Sequence, residues 1–326
     1  MAKLSAYKNA STKRGVLELV ITAVPFALAW AAMVVALDFG QVWLYGILIV
    51  PAAGLLMRLF MIQHDCGHGS FFPSRAVNDW TGRILGVLTL TPYDYWRRSH
   101  AVHHASTGNL DQRGIGDIDT LTVSEYLRRS PWQRFCYRLY RNPLVMFGLG
   151  PVYMLGLQTR VPVGFMRKGW GPWASTQITN VAVLIAAGLL AWAVGLGPFL
   201  MIHLPVVVLA AAAGVWLFYV QHQFEDTHWS EQQDWSFHEA ALHGSSHYDL
   251  PAVLRWFTAN IGMHHIHHLS SRIPYYRLPD VLRDHPELRD VGRLTLLQSF
   301  ACVRLTLWDE QSRKLISFRD ARRLYA

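Results

Sequence analysis

The sequence predicts an all-α integral membrane protein, with four transmembrane helices in two hairpins and a helical cap on the cytoplasmic side. Three features lead to this prediction: the overall composition, two pairs of long apolar segments, and the one-sided distribution of basic residues. Hydrophobic residues occupy 52% of the 326 positions and charged residues only 16%, whereas soluble domains carry about 25% charged residues. This composition favours a lipid environment and argues against an ordinary soluble domain.

The apolar segments occur as two pairs, and each member is close to the roughly 20 residues that a bilayer core requires. The four predicted spans cover approximately residues 16–37, 42–62, 178–196 and 199–220. We expect the cap to comprise residues 63–175 and 221–326, with the whole chain, 1–326, forming one domain. The first segment has no small-residue cleavage site and leads directly into the second, so we interpret it as a retained helix and not as a signal peptide.

Basic residues indicate the orientation of the chain in the membrane. The segment from Arg75 to Arg141 contains ten arginines, including these two, and further basic residues precede the first span, whereas neither hairpin turn contains Lys or Arg. By the positive-inside rule, both termini and the middle segment face the cytoplasm. The formal charge of +8 then follows from topology, although a basic face would also attract anionic lipid or an acidic electron-transfer protein. Short turns and the absence of organelle signals favour a bacterial inner membrane, and we expect no nucleic-acid partner.

Three scattered cysteines, Cys66, Cys136 and Cys302, are too few for a disulfide framework and are predicted to be free thiols on the reducing side of the membrane. No internal repeat and no second soluble domain is evident. The cap is therefore expected to belong to the same unit as the four spans.

Histidines form three clusters on the predicted cytoplasmic side. The clusters are HDCGH, HAVHH and HHIHH, and they contain His64 and His68, then His100, His103 and His104, then His264, His267 and His268. Helical residues at i, i+3 and i+4 project from the same side of the helix. His222 follows the fourth span at a similar depth. A lone histidine on an apolar helix is more often a satisfied core residue, but three such clusters on one side predict a metal site.

The number of histidines bears on the kind of metal centre. Nine candidate imidazoles exceed the four ligands of a closed zinc site, so two metal ions are implied. Imidazole suits zinc, copper, iron and nickel alike, so the metal must be chosen by reaction class. A histidine-rich pair of irons at the membrane face would suit activation of O₂ for attack on a C–H bond of a lipid chain. A zinc enzyme would leave much of the histidine count unexplained, and a metal transporter would need ligands near the bilayer midplane, where only His203 lies well inside a span.

Four stretches carry a resemblance to a known family. They are HDCGHGSFF (64–72), HAVHHASTGNLDQRGIGDIDTLTV (100–123), YVQHQFEDTHW (219–229) and GSSHYDLPAVLRWFTANIGMHHIHHLSSRIPYYRLP (244–279). The chain resembles the integral-membrane fatty acid desaturases, in the branch that includes the delta-12 and omega-3 enzymes. The resemblance extends from about the second span to Pro279.

The resemblance implies a specific chemistry. It implies two Fe ions, O₂ as co-substrate, and an acyl chain in a tunnel beneath the metals, where a cis double bond is introduced into a fatty acyl lipid or thioester. It also implies the metal ligands His64, His68, His100, His103, His104, His222, His264, His267 and His268. Because the chain has no Cys₄ iron–sulfur motif and no CxxCH haem motif, electrons would come from a ferredoxin or a cytochrome b5-like donor. A di-iron hydroxylase of the same fold is the alternative.

Further residues are candidates for supporting roles. Asn260 lies one turn before His264 and could hold a water on one metal, or could be a capping or packing residue. Acids near the clusters could accept the second N–H of a ligating imidazole, or be solvated or helix-terminal acids: these are Asp65, Glu225, Asp94, Asp117, Asp119 and Asp226. His265 is expected to point away from the ligand face. His228 and His247 stand where the family is expected to have an aromatic residue, and we interpret them as polar substitutions in preference to hydrogen-bonding residues near the site.

Overall fold

The computed structural model describes residues 2–114, 116–163 and 168–325. It confirms a predominantly α-helical, membrane-type fold that is built on four long apolar helices. The helices are α1 (Thr12–Asp38), α2 (Val42–His68), α3 (Arg75–Leu88), α4 (Tyr93–Ser106), α5 (Val123–Arg128), α6 (Pro131–Tyr140), α7 (Gly150–Tyr153), α8 (Trp170–Val194), α9 (Leu196–His222), α10 (Phe237–His243), α11 (Ala252–Phe257), α12 (His264–Leu269), α13 (Leu278–Asp284), α14 (Leu296–Ser299) and α15 (Phe318–Tyr325). Short 3₁₀ and π-helical turns flank several of them; they are Ala2–Tyr7, Val145–Leu149, Met154–Gln158, Tyr275–Arg277, Pro286–Leu288 and Phe300–Arg304.

Helices α1, α2, α8 and α9 are the four described helices that are long and apolar enough to cross a membrane. They pair as two hairpins, α1 with α2 and α8 with α9. The second turn differs in position from the sequence expectation. It lies at Gly195, which has a left-handed φ of +88°, whereas Gly197 and Pro198 belong to the first turn of α9. Proline is tolerated there because the first N–H groups of a helix have no intrahelical partner.

The long helices extend beyond the predicted spans on the side of the histidine clusters. Helix α2 continues from Val42 to His68, and α9 continues to His222. Helix α8 begins at Trp170, before the predicted residue 178. The predicted limits followed apolar composition, but a helix continues past the bilayer wherever the cap packs against its polar turns. The first cluster and His222 therefore stand on the ends of membrane helices.

Two charged residues within the predicted spans are buried, and neither is among the residues that the sequence patterns singled out. Glu18 of α1 and Arg58 of α2 are each 2% exposed, and they form an ion pair. The Arg58 Nε donates to Thr22 Oγ1 at 3.1 Å, the Tyr275 hydroxyl donates to Glu18 Oε2 at 3.1 Å, and Arg14 contacts Glu18 Oε1 at 2.7 Å. Charged residues within predicted spans were a visible signal, because such groups are rare in membrane helices unless they are paired.

In its described residues, the cap contains four short strands that the all-α prediction did not include. Strand β1 (His247–Asp249) pairs in parallel with β2 (Arg293–Thr295), and β3 (Leu307–Asp309) pairs antiparallel with β4 (Lys314–Ile316). A small satellite core joins the second pair to the rest of the cap; its buried members are Leu121, Val123, Tyr126, Tyr137, Leu307 and Ala321. Three-residue strands carry little periodic pattern, so their pairing depends on tertiary contacts.

Candidate metal centre

The first two clusters are held by tightly packed helix ends. Helix α2 terminates at Gly69, which adopts a left-handed φ of +66°, and the Gly69 N–H donates to the Cys66 carbonyl at 2.9 Å. Helix α3 packs so closely on the start of α4 that a Cβ at Gly82 would lie 2.2 Å from the Tyr93 ring. This packing places α4, which carries His100, His103 and His104, beside the end of α2.

The third cluster follows an unusual turn. Ala259 and Asn260 both have positive φ, +49° and +57°, a conformation that costs non-glycine residues energy. A Cβ at Gly262 would lie 2.4 Å from the Tyr248 carbonyl oxygen, so that position requires glycine. The Tyr248 N–H donates to the Gly262 carbonyl at 2.7 Å and connects the turn to β1. Helix α12 begins directly after this turn, and its six residues are all buried.

The structure brings all nine predicted histidines together in two groups. The five-histidine group consists of His64, His68, His100, His104 and His267, and the four-histidine group consists of His103, His222, His264 and His268. Within each group, one nitrogen from every ring lies within 4.8 Å of the others. Helices α4 and α12 contribute to both groups.

Neighbouring residues of one cluster serve different groups. His103 and His104 differ by one residue on α4, so their side chains diverge by about 100° around the helix. His104 belongs to the five-histidine group and His103 to the four-histidine group. The same division separates His267 from His268 on α12. The His104 and His268 rings stack with centroids 4.1 Å apart, which places the two groups side by side.

The Nε2 atoms converge inside each group. In the five-histidine group, His100 Nε2 lies 3.0 Å from His64 Nε2 and 3.1 Å from His104 Nε2. In the four-histidine group, His264 Nε2 lies 3.0 Å from both His222 Nε2 and His268 Nε2. The buried Nε2 atoms of His68 and His103 have no hydrogen-bond partner among the described residues. Buried polar atoms without partners are rare in native proteins, and nitrogen lone pairs that face one another fit a shared cation.

Outer contacts fix the tautomer of three rings. The Nδ1–H of His64 donates to Asp65 Oδ1 at 3.1 Å, that of His222 donates to the Gly244 carbonyl at 3.1 Å, and that of His103 donates to Asp117 Oδ1. With the proton on Nδ1, the lone pair of each ring is on Nε2, which points into its group. A carboxylate or carbonyl on the outer nitrogen is the usual support of a metal-binding histidine.

Five of the rings carried by α4 and α12 are held neutral. Burial, reinforced by the neighbouring imidazoles, keeps the pKa well below the ordinary histidine value at His100, His104, His264, His267 and His268. A neutral imidazole is the form that binds a metal. The centre presents nine imidazoles in sets of five and four, which suits a pair of borderline-soft divalent ions.

Asn260 and the candidate acids near the clusters differ in what they contact. The Asn260 Nδ2 donates a hydrogen bond to the Tyr275 carbonyl at 3.2 Å, which is a structural contact. That Asn260 holds a water on one metal ion stays a prediction. Glu225 is exposed and lines a surface groove of the cap. Asp65 and Asp117 are the acids that contact cluster histidines, while Asp94 pairs with Arg83.

The histidines outside the two groups have other partners. The His265 Nε2–H donates to the Leu288 carbonyl at 2.9 Å, and the His247 Nδ1–H donates to the Arg289 carbonyl at 2.6 Å. His228 Nε2 lies 2.9 Å from Ser230 Oγ. In α9, His203 stacks on Phe199 with centroids 5.0 Å apart. The three cysteines are free thiols, as expected.

The chain is similar to known fatty acid desaturases. The family model described as fatty acid desaturase matches residues 41–297, a range that includes all nine histidines. The chain is 40% identical to a fatty acid desaturase of Bacillus subtilis over 319 residues, which are 97% of this chain and 89% of that protein. It is 30% identical over 238 residues to an sn-1 acyl-lipid omega-3 desaturase (ferredoxin) of Synechocystis, covering 69% and 62% of the two chains. It is 28% identical over 281 residues to an acyl-lipid omega-3 desaturase (cytochrome b5) of Arabidopsis thaliana, covering 78% and 67%.

Proposed function

Because the chain belongs to the fatty acid desaturase family, we propose that it is an O₂-dependent, di-iron acyl desaturase that acts on a fatty acyl lipid or thioester in the membrane. The observation that carries this proposal is the convergence of nine imidazole nitrogens into one group of five and one group of four. Each group would hold one Fe ion. All 326 residues are proposed to form one desaturase domain.

The proposed reaction balances with an external reductant. A –CH₂–CH₂– unit, O₂, two electrons and two protons give a cis –CH=CH– unit and two molecules of water. An iron pair held by the nine histidines would supply the activation of O₂ that this reaction needs. The protein supplies the ligands and keeps them fixed: Asp65, Asp117 and the Gly244 carbonyl hold the Nδ1 protons of His64, His103 and His222, so that Nε2 of each ring remains free to bind.

The proposed setting follows from the four apolar helices and the basic segments. The termini, the histidine groups and the cap would face the cytoplasm, and the protein would reside in a bacterial inner membrane. Two relatives are named for their donors, ferredoxin and cytochrome b5. We propose that a carrier of one of these two classes delivers the electrons to this chain.

We expect a host that produces this protein to accumulate a new unsaturated fatty acid. The measurement is gas chromatography of total fatty acids with localisation of the double bond, in an aerated, iron-replete host that has a compatible donor. His267→Ala is the negative control, because His267 Nε2 lies 3.2 Å from His104 Nε2 inside the five-histidine group. A hydroxylated acid in place of the olefin would identify a hydroxylase. No change in the fatty acid profile would redirect the search to a non-lipid substrate or another metal.

Replacing Asp117 with Asn is expected to weaken iron retention and activity by roughly 10–100-fold, the usual effect of removing a carboxylate behind a ligating histidine. The amide lacks the negative charge that orients His103 through its Nδ1–H. The measurement is iron per protein after dialysis against a chelator. Asp119→Asn is the matched control, because Asp119 is exposed and its backbone, not its carboxylate, makes its hydrogen bonds to Tyr140 and Arg141. Equal iron retention by the two variants would remove Asp117 from the proposed site.

A further inference from the structure

The cap contains a wide groove that the proposed chemistry does not use. Its volume is about 1200 Å³, and it is formed by the end of α6, the segment 301–306, β4 and α15. We call it the basic groove and define it by Arg141 at its floor and Arg304, Lys314, Arg319, Arg322 and Arg323 around it.

The basic groove carries a large excess of positive charge. Among the described residues, seven Arg or Lys side chains line it, against two carboxylates, Glu225 and Asp320. Asp320 Oδ2 already accepts the Ser317 hydroxyl at 2.6 Å. The five cations around Arg141 are exposed, and none of them forms an ion pair within the described ranges of the chain. A concave surface with charge of one sign concentrates a partner of opposite charge.

The floor of the groove holds a buried cation without a carboxylate. Arg141 is 3% exposed, and its guanidinium donates to Thr120 Oγ1 at 2.8 Å, Gln223 Oε1 at 3.0 Å and the Leu305 carbonyl at 2.8 Å. Its Nε has no partner among the described residues. Neutral acceptors leave the charge of a buried guanidinium uncompensated. An anionic partner over the groove would compensate it.

The same arginine connects the groove to the four-histidine group. Gln223 accepts a hydrogen bond from Arg141 and directly follows His222 in the chain. The His222 Nε2 lies 3.0 Å from His264 Nε2. Arg141 at the groove floor is thus connected to a candidate metal ligand by one hydrogen bond, to Gln223, and by the peptide bond between Gln223 and His222. A site that binds lipid headgroups alone would not need this connection.

We propose that the basic groove docks the acidic electron-transfer protein that reduces the metal pair. This inference rests on the proposed function, which consumes two electrons per double bond. The sequence has no Cys₄ iron–sulfur motif and no CxxCH haem motif that could supply them. The partner is a one-electron carrier with an acidic face: two reduced carriers are oxidised for each double bond formed. The groove's positive charge attracts the carrier and brings it over the Arg141–Gln223–His222 connection.

The test uses the full-length protein in nanodiscs with an acidic [2Fe–2S] ferredoxin, its reductase and NADPH. The variant is Arg322→Glu/Arg323→Glu, which reverses two exposed charges of α15. The matched control is Arg255→Glu/Arg289→Glu, which makes the same charge change at exposed residues outside the groove. We expect the α15 variant to raise the KM for ferredoxin about 10-fold or more at low salt, because charge steering commonly changes association rates by 10-fold to 1000-fold. Raising the salt concentration should raise the KM of the wild type for ferredoxin and narrow the difference in KM between the wild type and the α15 variant.

A second arm replaces ferredoxin with dithionite and measures double bonds formed in one turnover. A loss by the α15 variant with ferredoxin but not with dithionite supports docking. An unchanged KM and salt dependence would overturn the docking inference and leave the desaturase proposal intact. A loss with both reductants that occurs only in anionic-lipid nanodiscs would assign the groove to lipid headgroups and also overturn it. If the wild type forms no double bond with either reductant, the proposed function itself fails.

Discussion

Replacing His268 with Gln is expected to remove one metal ion and to lower desaturation by more than about 100-fold. Loss of an outer partner alone typically costs 10–100-fold, and His268 contributes a nitrogen from within the four-histidine group. Its Nε2 lies 3.0 Å from His264 Nε2. Glutamine keeps a polar group of similar size but is a poor iron ligand. The measurements are iron per protein and double bonds formed per protein.

His265→Gln is the matched control for this substitution. His265 is buried in the same helix but does not belong to either histidine group. Its Nε2–H donates to the Leu288 carbonyl instead. The glutamine N–H can replace that donor, so we expect this variant to retain both metals and most activity. Equal loss of iron by the two variants would mean that α12 tolerates no substitution, and the ligand assignment would have to be tested elsewhere, for example at His100.

Replacing Glu18 with Leu is expected to destabilise the protein by about 3–5 kcal/mol, the usual cost of leaving one partner of a buried ion pair without the other. Arg58 would keep its contacts with Thr22 and the Trp256 carbonyl but would lose its counter-charge within an apolar helix. Tyr275 would also lose its acceptor. The measurement is the temperature at which half of the detergent-solubilised protein remains monodisperse.

Two comparison variants distinguish charge from packing at this site. The double variant Glu18→Leu/Arg58→Met should recover much of the loss, because replacing both charges with apolar groups of similar volume is often neutral. Arg14→Ala should change the melting temperature little, because Arg14 is 52% exposed in its pair with Glu18 and exposed pairs contribute at most about 1 kcal/mol. A Glu18→Leu protein as stable as the wild type would show that the pair contributes nothing to the fold.

The four spans and the histidine clusters were predictable because their signals are local. A run of about 20 apolar residues is visible without knowledge of any contact, and the HxxHH spacing places side chains on one side of a helix by geometry alone. Helix α2 confirms the assumption behind the first cluster, since it continues from Val42 through His68 without a break.

The division of the histidines between two groups was not predictable in the same way. Whether His103 belongs with His104 or with His222 depends on how α4 and α9 are placed relative to each other, and no local pattern contains that placement. The left-handed residues Ala259 and Asn260 are equally hidden, because neither is glycine. Asp117 was one of six candidate acids, and only tertiary packing brings its carboxylate to His103.

The distribution of the two groups along the chain has a consequence for how the protein is made. Both groups require α12, whereas α1, α2, α4, α8 and α9 all precede it. A ribosome that stalls before His267 would release a membrane-inserted fragment in which neither group is complete. Such incomplete copies would therefore lack a full set of ligands for either proposed metal ion.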